Sequence, residues 1–175
     1  MSDYGDLLAG ARRRTKISRY RPVVLLLVPV AAILFQVYVP LFVRQLGYLE
    51  LPLLVTVYFA AMRRRPVAGL LYGAVIGLAQ DALSQNPLGM FGIVKTLVGY
   101  FSASASLRFD ADNPGARFVL AFFFFFFHQV MYWLLGRALL GSPVELGAAQ
   151  TFVLALMNGA VAVPFFHLLD KLKES

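Results

Sequence analysis

The sequence predicts an all-α polytopic membrane protein with six transmembrane helices, and three observations carry that reading. Of the 175 residues, 59% are hydrophobic and only 14% charged, where a soluble domain has about a quarter charged and about half apolar. So little polar surface cannot cover a soluble globule. Mean hydropathy is +0.71, which excludes disorder, since a disordered chain needs low hydrophobicity and high charge. Finally, the apolar residues come in six continuous runs. Each run approaches the about 20 residues that carry a helix across a bilayer core, and their lack of strict alternation argues against a transmembrane barrel.

The chain divides into a basic N-terminal segment (1–21), a transmembrane domain (22–170) and a short tail (171–175). The first run, Pro22 to Val43, is entered through Pro22 and perturbed by Pro29 and Pro40. Basic residues precede it as in a signal peptide, but no small-x-small cleavage site opens into a soluble domain, so it reads as a retained helix. The second, Leu51 to Met62, has Pro52 suited to a first helical turn. Its shortness places Glu50 and Arg63 close to the two interfaces. The third, Val67 to Ser84, and the fourth, Leu88 to Leu107, form a hairpin across Gln85-Asn86-Pro87. The fifth runs from Ala116 to Leu140 and the sixth from Ala148 to Leu169.

Charge placement orients the bundle. Arg12, Arg13, Arg14, Lys16, Arg19 and Arg21, then Arg63, Arg64 and Arg65, then Arg108 and Arg117, then Lys171 and Lys173, all fall on one side. The other side holds Arg44 and Arg137, and Lys95 lies within a helix. By the positive-inside rule both termini are cytoplasmic. The same placement accounts for the net charge of +7 without nucleic acid, for which no recognition motif is present. Without cysteine, a disulfide framework, an iron–sulfur cluster and a thiolate zinc site are excluded. No H-E-x-x-H, G-x-S-x-G or nucleotide loop occurs, so neither an enzyme nor a cofactor is expected.

The hairpin of the third and fourth helices holds the most informative residues. Gly69, Gly73 and Gly77 recur every four residues, with Gln80, Asp81 and Ser84 extending the same side. Such a row permits close backbone approach in lipid. Gly92, Lys95, Thr96 and Gly99 share a face of the next helix, and the two faces predict a small, polar, inward seam. Asp81 and Lys95 fall roughly 8 and 12 Å below the outer surface at 1.5 Å per residue. They read either as an ionisable pair lining an outward pocket or as a structural pair that fixes the hairpin by mutual neutralisation; the alternative is that Asp81 holds a helix end or a ligand by itself. The run Phe122 to Phe127 reads as aromatic filling, His128 as a hydrogen-bonded core histidine, and Tyr132 and Trp133 as an outer aromatic belt. Asn158 with Gly159 offers an interhelical hydrogen bond and a close contact. His167 and Asp170 read as a local helix pair.

The stretch Arg63-Arg64-Arg65-Pro66, Gly73, Gly77, Gln80-Asp81, Leu83-Ser84, Pro87-Leu88-Gly89 and Leu97-Val98-Gly99-Tyr100 resembles the MreD family of the bacterial rod-shape system. The best-matched part is about residues 50 to 101, with looser matches around Asn158-Gly159 and Pro164. The resemblance carries over to Asp81, Gly77, Gly89 and Asn158 as candidate key positions. It implies a non-enzymatic scaffold in the bacterial inner membrane, binding an MreC-like bitopic protein. MreB, RodA and its penicillin-binding transpeptidase are expected in the same assembly, with a homodimer as a further association. It also implies a fold similar to the substrate-binding subunits of energy-coupling-factor transporters. From that similarity comes an alternative function, a small-molecule or lipid-precursor binding subunit of a transporter. The Ala-x-x-x-Ala motif of such subunits is reduced here to Ala31-Ala32, which weighs against it.

Overall fold

Prolines start four of the helices in this computed structural model, which describes residues 20–84, 87–141 and 145–173. Helix α1 spans Pro22–Tyr38, α2 Leu51–Arg63, α3 Pro66–Leu83, α4 Met90–Ala105, α5 Pro114–Leu140 and α6 Ala148–Asp170. Pro22, Pro52, Pro66 and Pro114 each lie in a first turn, where the missing N–H would have no intrahelical partner anyway. Helix α1 gives way to 3-10 turns at Val39–Leu41 and Arg44–Tyr48, because Pro40 has no N–H to continue the α-helical ladder. At the far end of α5, Gly141 adopts a φ of 61° and closes the helix in the left-handed region. Arg12, Arg13, Arg14, Lys16 and Arg19, the Gln85-Asn86 turn and Ser142 lie outside the described residues.

The all-α class holds: helix accounts for 82% of the structure, with no strand among the described residues. Five segments are long and apolar enough to cross a membrane: Pro22–Leu41, Arg44–Arg63, Pro66–Leu83, Pro114–Leu140 and Ala148–Asp170. Helix α4 is shorter, at 16 residues.

Helix α2 is the axis of the bundle. It packs against all five other helices, and every residue from Pro52 to Met62 is buried. Its sides meet protein and not lipid, and with the 3-10 segment before it the thirteen residues become a 20-residue span, Arg44–Arg63. A hydroxyl is accordingly tolerated inside it, where the Thr56 side chain donates to the Pro52 carbonyl at 2.8 Å. Around it the aromatic residues interlock edge to face, as with Phe59 against Tyr20, Tyr58 and Tyr72. The lipid-facing helices instead expose leucine and valine, such as Leu26 and Leu27 on α1 and Val67, Leu71 and Val75 on α3.

Candidate functional site

The α3–α4 hairpin is built on missing side chains. A Cβ on Gly69 would run into the Gly99 carbonyl, one on Gly73 into the Lys95 carbonyl, and one on Gly77 into the Phe91 carbonyl. Gly99 faces the Gly69 carbonyl in return. The two backbones therefore touch along the whole row, the contact on which helix association in lipid depends. On α6, a Cβ at Gly159 would press on the Phe118 ring of α5 at 3.1 Å, a milder version of the same device.

Close approach delivers Asp81 to the start of α4. Its carboxylate, 2% exposed, accepts the backbone N–H of Gly89 and of Gly92 on Oδ2, both at 2.9 Å, and that of Phe91 on Oδ1 at 3.1 Å. A helix start leaves four N–H groups without intrahelical partners. The fourth, on Met90, donates to the Pro87 carbonyl at 3.3 Å, so all four are satisfied. Gly89 sits at φ 97° with open space around it. Glycine is used there for its backbone conformation, whereas Gly73 is used for its lack of volume. Gln80 is also buried, with no partner on Oε1. Thr96 is half-buried, and its hydroxyl donates to the Gly92 carbonyl of its own helix at 2.6 Å.

The expected Asp81–Lys95 pair does not form; among the described residues Asp81 makes no ion pair. Lys95 lies a turn further along α4 and faces α2 and α5. Its fully buried ammonium lies 3.7 Å from Glu50 Oε2, 3.3 Å from His128 Nε2 and 4.3 Å from the centroid of the Phe91 ring. An ammonium can only donate, so Nε2 accepts and the imidazole is neutral with its proton on Nδ1. That Nδ1 has no partner. Phe91 stacks on His128 and Tyr132 at centroid separations of 5.8 and 5.0 Å. Glu50, expected as a boundary charge at the interface, turns inward with its side chain 14% exposed. Two helices hold the backbone around it. Its N–H donates to Asn158 Oδ1 at 3.0 Å, the Leu51 N–H donates to Gln36 Oε1 at 3.3 Å, and Asn158 Nδ2 donates to the Tyr48 carbonyl at 2.9 Å. Asn158 thus closes the start of α2 from α6.

A second polar group, at the other end of α2, was not visible in the sequence. Arg117, expected as a loop charge, is 2% exposed. Its guanidinium meets Asp170 Oδ2 at 2.7 Å, and its Nε donates to the Ala111 carbonyl at 2.9 Å. The Tyr58 hydroxyl donates to Asp170 Oδ1 at 2.8 Å and receives the Tyr20 hydroxyl at 2.9 Å. Lys173 meets the same carboxylate at 2.7 Å. The expected His167–Asp170 contact is present at 3.9 Å but is the minor one. Burial alone would lower the Lys173 pKa; the hydrogen bond to Asp170, aided by Tyr20 and Asp112, raises it above its ordinary value. One signal in the sequence pointed here: Arg117 and Asp170 both border apolar runs instead of lying in loops.

Two surface cavities open on the outside of the bundle, the second reaching Tyr132 at the edge of the first group. One of about 710 Å³ separates the C-terminal part of α4 from α5, and one of about 280 Å³ lies between α5 and α6 beside Gln129, Trp133 and Gln150. Asp81, Lys95, Gln80 and Thr96 line neither cavity. No three metal-ligating side chains gather among the described residues.

Among known families, the model for the rod shape-determining protein MreD matches residues 16–174. No curated protein and no solved structure matches the chain, so the expected likeness to energy-coupling-factor subunits is unsupported.

Proposed function

Since the chain belongs to the MreD family, whose members determine rod shape, we propose that it is a non-enzymatic scaffold of the cell-elongation machinery that binds an MreC-like bitopic protein. The family is one of structural membrane proteins and not a known enzyme family. The observation that best supports a scaffold is the work given to the buried polar groups. Asp81 closes α4, Asn158 closes α2, and Arg117 with Asp170 joins α5 to α6. Each holds one helix to another, which yields a rigid bundle with its outer faces open to partners. In this reading MreB, RodA and its transpeptidase share the assembly, a homodimer is a second mode of association, and both termini face the cytoplasm from the inner membrane.

The test is depletion of the chain in its host together with capture of the tagged protein in mild detergent. Rounded cells and recovery of an MreC-like single-span protein are expected. Cells that stay rod-shaped with no such protein recovered would overturn the reading. Recovery of a pair of transport ATPases would pass it to the transporter-subunit alternative.

A further inference from the structure

Helix α4 ends at Ala105 after 16 residues. At 1.5 Å per residue it covers about 24 Å, short of a bilayer core of about 30 Å. Alongside its C-terminal part and the turn that follows lies the cavity of about 710 Å³ against α5, a volume within the usual range for ligand pockets. Its walls are apolar: Tyr100, Phe101, Leu107 and Phe109 on one side, Phe123 and Phe127 on the other. Phe101, Leu107, Phe109 and Phe123 are exposed, so the slot is open along its length.

A single cation, Arg108, stands among these apolar walls. The carboxylates nearest it in sequence are engaged elsewhere: Asp110 meets Arg64 at 3.9 Å, and Asp112 meets Arg117 at 3.6 Å and Lys173 at 3.3 Å. Among the described residues Arg108 makes no ion pair, and it is exposed. A guanidinium matches a phosphate in shape and charge. Basic pockets between transmembrane helices are a known form of lipid headgroup site.

We propose that the cleft between α4 and α5 binds an anionic phospholipid, with an acyl chain in the aromatic slot and the headgroup phosphate on Arg108. Net negative charge is what distinguishes this occupant. A zwitterionic lipid brings its own ammonium to compete for the phosphate, and an apolar partner helix would leave Arg108 without a counter-charge.

The test uses the full chain with Trp133→Phe, which removes the only tryptophan, and Phe101→Trp as a reporter inside the slot. It is reconstituted in phosphatidylcholine vesicles containing rising fractions of dibrominated phosphatidylglycerol or dibrominated phosphatidylcholine. Quenching by the brominated phosphatidylglycerol is expected at about fivefold lower mole fraction. Arg108→Gln should bring the two curves together, with thermal unfolding confirming that the variant folds. Ser104→Phe, which narrows the slot and keeps the cation, should weaken quenching by both lipids. Equal quenching by the two lipids in the parent, a preference that survives Arg108→Gln, or quenching that Ser104→Phe leaves unchanged would each overturn the proposal. An absence of quenching by either lipid would show protein in the slot and overturn it too.

Discussion

At Asp81 a carboxylate is kept in an apolar bundle by three backbone N–H donors. Hydrogen bonds to a charged acceptor are worth about 1.5–3 kcal/mol each. Asn in its place offers one oxygen and turns an NH₂ toward donors, so Asp81→Asn should cost about 2–4 kcal/mol by unfolding in detergent. Adding Lys95→Met should recover none of that loss, and a double variant more stable than Asp81→Asn would sink the helix-closing role. Lys95 behaves differently, because its counter-charge is Glu50. Lys95→Met strands that buried carboxylate and should cost about 3–5 kcal/mol, whereas Glu50→Gln with Lys95→Met should restore most of it. Outside the spans, Lys173 has a raised pKa. A cation favoured in the folded state stabilises fully below its unfolded pKa and loses that contribution as pH rises through the folded value. Lys173→Met should therefore be destabilised equally at pH 7 and pH 9. Wild type should approach it only above the ordinary lysine value of 10.5.

Among the elements, the α3–α4 hairpin separates two uses of glycine that look alike in sequence. Gly73→Leu would have to drive α4 away from α3, since a Cβ there already meets the Lys95 carbonyl. Loss of the monodisperse peak on size-exclusion chromatography is expected. Gly89→Ala meets no neighbour and suffers only its left-handed backbone, which costs roughly 1–2 kcal/mol, so that variant should fold with a lowered melting temperature. Equal behaviour of the two would mean that the hairpin is not packed through its glycines. The row was legible because a four-residue period on a helix defines one face. Asp81 was legible as a buried charge in the same way, and holding a helix end by itself was one of its two readings, but nothing local chose between that and a pair with Lys95. Lys95 is the nearest opposite charge in sequence, yet the nearest donors in space are the backbone groups of a helix start, which carry no letter of their own.

For the whole molecule, the charge bias predicts that both termini are cytoplasmic. Single cysteines at Ser2, Gln85 and Ser142 in this cysteine-free chain should report it, an impermeant external reagent labelling Gln85→Cys and Ser142→Cys but not Ser2→Cys. Labelling of Ser2→Cys alone would reverse the orientation. Six apolar runs, their proline starts and the glycine row were determined by the sequence itself, since each follows from local composition and a helical period. Tertiary structure alone decided that the shortest run is the central helix. It alone also joined Glu50 to Lys95 and His128, and Arg117 to Asp170. These partners lie far apart along the chain, on different helices. A charge buried in lipid must find an opposite charge or a donor, but which one it finds depends on how the helices rotate and cross. That geometry comes from packing summed over the whole bundle, and no single segment encodes it.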